Sequence, residues 1–208
     1  MTRVKICGIT NAKDALWAAD NGTDAIGFVF APSRRQISAE QAKAIRRQLP
    51  PFVSVVGIFV NPDPRTVKET FESVGLDFVQ LYDGDEQRFL RESGLNPCRL
   101  IRAISIESES DLSAITQTSA AIVLLDTRVD GMRGGTGKTF DWNLAARAKA
   151  FNRAIILSGG LNPENVETAI SIASPQAVDV SSGVESAPGH KDPDKVREFI
   201  RRVKEYVA

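Results

Sequence analysis

Cysteine and histidine are scarce in this chain, and neither sign of charge is in excess. Its two cysteines, Cys7 and Cys98, fit no zinc-ligand spacing and make no disulfide framework. The one histidine, His190, lies in the stretch PGHKD, expected to be a loop ahead of the last helix. That leaves no serine–histidine triad to build. Lys plus Arg and Asp plus Glu each number 26. This balance excludes a broad basic footprint for nucleic acid but allows a local anion site. The longest apolar run, AAIVLL at 120–125, is far too short to span a bilayer. The opening MTRVKICGIT has no apolar leader core. What remains is an ordinary globular composition, 42% hydrophobic and 25% charged in 208 residues. The expectation is a cytoplasmic protein of one domain, residues 1–208, with no membrane or nucleic-acid partner.

Short β-branched runs alternate with helical patterns from end to end. Strands are expected at 3–8, 25–30, 53–60, 78–81, 99–104, 121–126, 154–159 and 177–182. Several are nearly continuous apolar runs, as in strands covered on both faces. Helices are expected in the segments between and after them, at 11–22, 38–49, 64–75, 84–94, 108–118, 141–151, 162–173 and 192–207. Asn11 and Ser38 read as N-terminal caps. Pro64 and Gly75 mark a start and a stop, and Pro163 and Pro193 occupy first-turn positions. Alternating units of this kind form a parallel sheet. A count of eight favours a closed (β/α)8 TIM barrel, an α/β fold, with an open doubly wound sheet as the alternative.

In such a barrel, ligands are handled at the C-terminal strand ends and the loops that follow. The period of two along a strand sorts side chains by face. On the first strand Val4 and Ile6 point at helices, which leaves Lys5 and Cys7 inside. On the sixth Leu125 points out and Asp126 in. On the eighth Val178 and Val180 point out and Asp179 in. One thiol and two carboxylates then converge on one mouth. Taken singly, each has a plainer role, the cysteine as a small buried hydrophobe and an aspartate as a turn former. Cys98 opens the fifth strand and reads as structural.

Two stretches suggest a phosphate cradle. LSGGLNPEN places Gly159 and Gly160 after the seventh strand, and VDVSSGVE places Ser181 and Ser182 after the eighth. Glycine allows close backbone approach, and backbone N–H groups at a helix start favour an anion. Barrels commonly bind phosphate between these two loops. The alternative is a pair of tight turns.

The stretch DGMRGGTGKTFDW looks at first like a nucleotide-binding loop. That motif needs glycine, four residues, then Gly-Lys-Ser/Thr. Five residues before Gly137 stands Met132, and no strand leads directly into the segment. The expected role is a lid hinged on Gly134, Gly135 and Gly137, since loops of about 14 residues in compact barrels are usually functional.

Ordered motifs along almost the whole chain then carry a resemblance. VKICGIT, GFVFAPSRRQIS, VGIFVN, LLDT with GGTGKTFDW, ILSGGLNPENV and VDVSSGVESAPGHKD resemble the phosphoribosylanthranilate isomerases. The resemblance implies a barrel enzyme of tryptophan biosynthesis that needs neither metal nor organic cofactor. Its implied substrate is a small phosphorylated sugar, N-(5-phosphoribosyl)anthranilate, converted by an Amadori rearrangement to the 1-deoxyribulose 5-phosphate derivative. By the same resemblance Asp126 is the general acid and Cys7 the general base. Arg35 faces the anthranilate carboxylate, and Asp179 contacts the substrate near the reacting sugar. Gly159, Gly160, Ser181 and Ser182 hold the phosphate, and the family includes both monomers and homodimers. These roles require a raised pKa at Asp126 and a lowered one at Cys7, which Lys5 on the same face would assist.

Two departures stand out. Ser33-Arg34-Arg35-Gln36 replaces the family's Ser-Pro-Arg-Tyr, which leaves open which arginine acts. Tyr82 replaces the histidine of Gln-Leu-His-Gly-x-Glu, with one extra residue in that loop. Two rival readings remain. A histidine-pathway phosphoribosyl isomerase of the same fold would use aspartate where Cys7 stands and would need a second phosphate site. A non-catalytic phospholigand-binding barrel would have no use for Cys7 and Asp126 together.

Overall fold

The computed structural model describes residues 1–127 and 139–206. The first half comprises β1 (Arg3–Cys7), α1 (Ala12–Asp20), β2 (Ala25–Val29), α2 (Ala39–Arg46), β3 (Ser54–Val60), α3 (Pro64–Val74), β4 (Phe78–Tyr82) and α4 (Glu86–Ser93). The second comprises β5 (Leu100–Ile106), α5 (Ala114–Gln117), β6 (Ile122–Thr127), α6 (Trp142–Ala148), β7 (Ala154–Leu157), α7 (Val166–Ala173), β8 (Ala177–Val180) and α8 (Pro193–Glu205). A two-stranded hairpin, β9 (Glu185–Ala187) and β10 (His190–Lys191), interrupts the last unit.

Strands β1 to β8 form a closed barrel in sequence order. β1 makes the closure by pairing in parallel with both β2 and β8, so that Lys5 lies beside Ala25 on one side and Asp179 on the other. The closed alternative therefore holds over the open sheet. Val4, Ile6, Leu125, Val178 and Val180 face outward into the core between barrel and helices, as their alternation predicts. Val56, Ile101, Ala103, Leu124 and Ile156 fill the barrel interior. Each fully buried aliphatic side chain contributes roughly 1.5–3 kcal/mol relative to exposure. An ionisable residue at Leu125 would place an unpaired charge between β6 and the helices.

Local signals explain most helix ends. The Asn11 carboxamide accepts from Asp14 N at 2.9 Å, and Ser38 and Gln41 form a reciprocal capping box. Pro64 begins α3 behind the Asp63 cap, and Gly75 stops it in the left-handed conformation. Pro193 opens α8.

Four expectations need correction. The helix expected over 108–118 is a 3-10 turn, Glu109–Ser113, followed by the single turn of α5. Asp111 accepts from the backbone N–H groups of Glu107 and Ser108 at 2.9 and 2.8 Å, a side-chain competitor to helical bonding. Pro163 lies in a turn before α7, which starts at Val166. Cys98 sits exposed in a 3-10 turn ahead of β5 rather than opening the strand. His190 belongs to β10 rather than to a loop. No described helix is long and apolar enough to cross a membrane.

Candidate active site

The mouth of the barrel is assembled from strand ends. Cys7, the last residue of β1, is buried. Its neighbour on β2 is Gly27, where a Cβ would stand 3.0 Å from the Cys7 sulfur and 2.9 Å from Ile58 Cδ1. A side chain there would compete with the thiol for its space. Two residues earlier the Lys5 ammonium meets the Asp179 carboxylate at 2.8 Å. The Ser158 hydroxyl, just past β7, reaches the other Asp179 oxygen at 3.4 Å.

Asp126, near the end of β6, is buried with both oxygens engaged. Oδ1 accepts from Thr127 N at 2.8 Å, and Oδ2 accepts from the Tyr82 phenol at 2.9 Å. Tyr82 experiences the charges of Asp126, Asp179 and Cys7 together, so the thiol and both carboxylates share one mouth.

Burial dominates the electrostatics. It pushes the Asp126 carboxyl up, the Tyr82 hydrogen bond opposes the rise, and the nearby Asp179 charge reinforces it. That is the direction expected of an acid. For Cys7 the expectation of a lowered pKa is overturned. Burial is the largest influence and pushes the thiol up; the Lys5 and Lys191 ammonium groups pull it down without winning, and the Asp179 charge adds to the rise. Strand periodicity places both Lys5 and Asp179 inside the mouth, but not their pairing with each other, which takes up much of the lysine's charge. Lys5 itself stays above the usual ammonium value. Burial works against its charge, but Asp179 and Cys7 more than offset that.

Of the two candidate arginines, Arg35 turns inward and Arg34 is exposed. Arg35 is held by Glu185 at the start of β9 through two parallel bonds, Nε to Oε1 at 2.8 Å and Nη2 to Oε2 at 2.7 Å. The Lys191 ammonium bonds the same carboxylate at 2.9 Å and the Ser181 carbonyl at 3.1 Å. Burial works against the Glu185 charge, yet Arg35 and Lys191 hold its pKa below the usual glutamate value. Glu185, Lys191 and a hydrogen-bonding role for Tyr82 were not foreseen. Glu185 and Lys191 stand inside the motif VESAPGHKD, but only the β9–β10 hairpin brings them under Arg35, a contact spanning 150 positions.

The two loops expected to cradle phosphate approach each other closely. A Cβ on Gly183 would fall 1.9 Å from the Leu161 carbonyl oxygen. Gly159 and Gly160 both adopt left-handed backbone, and a Cβ at Gly159 would fall 2.2 Å from Thr127 Oγ1. Ser182 begins a 3-10 turn after Ser181. The Ser181 hydroxyl is buried with no protein hydrogen-bond partner among the described residues. The lid glycines Gly134, Gly135 and Gly137 lie outside the described residues. Among the described residues no cluster of three or more His, Cys, Asp or Glu is placed to hold a metal ion.

Known proteins share this architecture and sequence. Residues 4–202 match the family model for N-(5'phosphoribosyl)anthranilate (PRA) isomerase. The chain is 48% identical over 206 residues to the N-(5'-phosphoribosyl)anthranilate isomerase of Pelobacter propionicus, covering 99% of this chain and 97% of that protein. The crystal structure of phosphoribosyl anthranilate isomerase from Thermotoga maritima aligns with a TM-score of 0.90 at 45% identity, over 99% of this chain and 100% of that one. A phosphoribosyl anthranilate isomerase in complex with reduced 1-(o-carboxyphenylamino)-1-deoxyribulose 5-phosphate aligns with a TM-score of 0.87 at 43% identity, over 99% and 100% of the two chains. With a match of this kind along nearly its whole length, the chain belongs to the N-(5'-phosphoribosyl)anthranilate isomerase family.

Proposed function

We propose that this chain isomerises N-(5-phosphoribosyl)anthranilate with Asp126 as general acid and Cys7 as general base. The observation that carries the assignment is the placement of one thiol on β1 and one carboxyl on β6 at strand ends that open on the same barrel mouth, both buried and both pushed up by that burial. A carboxyl with a raised pKa retains a proton to donate, and a thiolate of raised pKa is a stronger base than an ordinary one.

Asp126 protonates the furanose ring oxygen, the bond from that oxygen to C1 breaks, and the nitrogen lone pair forms the Schiff base. The Cys7 thiolate then takes the proton from C2. The electron pair left behind moves toward the imine nitrogen and gives an enolamine, which tautomerises to the ketone. Lys5 lies beside the thiolate and favours its charge. The turnover leaves the thiol protonated and the carboxyl ionised, so a proton exchange with solvent restores the starting pair.

Binding follows from the remaining groups. Arg35 commits Nε and Nη2 to Glu185 and offers Nη1 to the anthranilate carboxylate. Asp179 faces the reacting sugar from the neighbouring strand. Gly159, Gly160, Ser181 and Ser182 receive the phosphate, a role supported by the closeness of the two loops and by the unpartnered Ser181 hydroxyl. The sugar-phosphate ligand held by the relative of known structure supports the same class of substrate here. The histidine-pathway reading is disfavoured by the thiol at position 7. The test is turnover: phosphoribosylanthranilate generated in place from anthranilate should lose fluorescence far faster with the protein than without it. Equal rates would refute the proposal.

A further inference from the structure

We infer that Tyr82 is the positioning residue for the general acid: its hydroxyl fixes the rotamer of Asp126 and selects Oδ2 as the oxygen that carries the proton. The inference rests on the reading of Asp126 as that acid. Tyr82 is the last residue of β4, and its phenol crosses the mouth to Asp126 on β6 at 2.9 Å. The backbone at Tyr82 and just after it is pinned from either side, at the end of β3 and on β5. Asn61 N donates to the Tyr82 carbonyl at 3.0 Å, and Arg102 Nη1 on β5 donates to the Asp83 carbonyl at 2.9 Å. Asp83 and Gly84 both take left-handed backbone. The loop therefore absorbs its extra residue beyond the strand, and Tyr82 keeps its inward register. The ring is half-buried and packs against the interior core, which limits where the hydroxyl can go.

The two oxygens of Asp126 have unequal partners. Oδ1 faces the Thr127 N–H, which can only donate and so favours a bare oxygen there. Oδ2 faces a hydroxyl, which donates to the carboxylate and, by rotating, accepts from the carboxylic acid. Protonation at Oδ2 therefore keeps both contacts satisfied, whereas protonation at Oδ1 sets the proton beside a donor. Besides Tyr82, the charged groups that act on Asp126 are Asp179 from β8 and Lys5 from β1, and Cys7 on β1 acts on Tyr82. Burial first, and the carboxylate charges after it, push the phenol well above its usual pKa. It stays a neutral donor while Asp126 titrates.

Opposite changes at one hydroxyl give the test. Tyr82→Phe removes the donor. Uniform replacement of tyrosine by 3-fluorotyrosine in a Tyr206→Phe background places the label at position 82 alone, since the chain has two tyrosines, and strengthens the donor. The Asp126 carboxyl is titrated directly by carbon-13 NMR, assigned by its loss in Asp126→Asn, and the pH profile of kcat/KM is measured on the same proteins. The expected result is an upward move of the carboxyl titration and of the acid limb in Tyr82→Phe, and a downward move of both with fluorotyrosine. Fluorination barely changes the ring's size, so this arm reports even where Tyr82→Phe weakens the barrel. A carboxyl titration unmoved by fluorination overturns the inference. A carboxyl that moves while the acid limb stays fixed instead overturns Asp126 as the acid, and the catalytic role of Tyr82 with it.

Discussion

Lys5 and Asp179 are register partners on β1 and β8, and they form a 2.8 Å ion pair whose side chains are only 3% and 5% exposed. Two charges so far from water depend on each other. Removing one partner of a buried pair leaves an uncompensated charge and costs about 3–5 kcal/mol, whereas replacing both with apolar groups is often neutral. Asp179→Asn should therefore lower the urea midpoint strongly, and Lys5→Met with Asp179→Leu should recover most of the loss. Asp179→Asn should also make Cys7 easier to alkylate at a given pH, because the carboxylate raises the thiol pKa. That measurement needs a Cys98→Ser background, since Cys98 is exposed. Equal stability of Asp179→Asn and the native protein would show that the pair does not hold the closure together.

The directions at Cys7 and Asp126 set a pH profile. In the proposed division of roles, catalysis needs the carboxyl protonated and the thiol ionised. Both pKa values are raised, the carboxyl from 3.8 and the thiol from 9.0. The competent pair is then one tautomer of the singly protonated site, and its share is constant between the two macroscopic values. kcat/KM should be flat across neutral pH. It should fall on the acid side, above the ordinary carboxylate range, as the site gains its second proton. On the alkaline side it should fall above the ordinary thiol value as the last proton leaves. Lys5 opposes the rise at the thiol, so Lys5→Met should move the alkaline limb to higher pH. An alkaline limb below the ordinary thiol value would contradict the burial argument.

The approach of the loops after β7 and β8 makes a separate prediction. Gly183→Ala places a methyl group where the Leu161 carbonyl oxygen now lies, 1.9 Å from the ideal Cβ position. One backbone segment must move, a strain of roughly 1–3 kcal/mol. Binding of inorganic phosphate should weaken by about tenfold or more, the equivalent of about 1.4 kcal/mol. KM should rise more than kcat falls, because the acid and base are on other strands. Unchanged phosphate affinity in a folded Gly183→Ala protein would remove the cradle from this end of the barrel.

The fold and the strand-end residues were legible because they are written in local periodicity. Val4, Ile6, Leu125 and Val178 had to face helices, and the residues between them were thereby turned inward. The caps at Asn11 and Ser38 are likewise decided by neighbours three residues away. What could not be read locally comes from contacts between distant segments. Glu185 finds Arg35 only through the hairpin, and Tyr82 finds Asp126 only when the barrel closes across β5. The rise at Cys7 comes first from its burial, with a distant carboxylate adding to it. The adjacent lysine was visible on one strand, but the carboxylate that pairs with it arrives from a strand 174 positions later. The fifth helix failed for a local reason, because Asp111 offers the backbone a competing partner.

The division of two proton transfers between Asp126 and Cys7 is tested most directly by isotope effects. Turnover of substrate carrying hydrogen or deuterium at C2 is compared in Cys7→Ser and Asp126→Asn. Both variants should be slowed by about a hundredfold or more, the usual contribution of a positioned acid or base. In Cys7→Ser removal of the C2 proton limits the rate, and the deuterated substrate should turn over several-fold more slowly. In Asp126→Asn ring opening limits, and the two substrates should turn over alike. Near-native turnover in either variant, or the same isotope effect in both, would contradict the assignment.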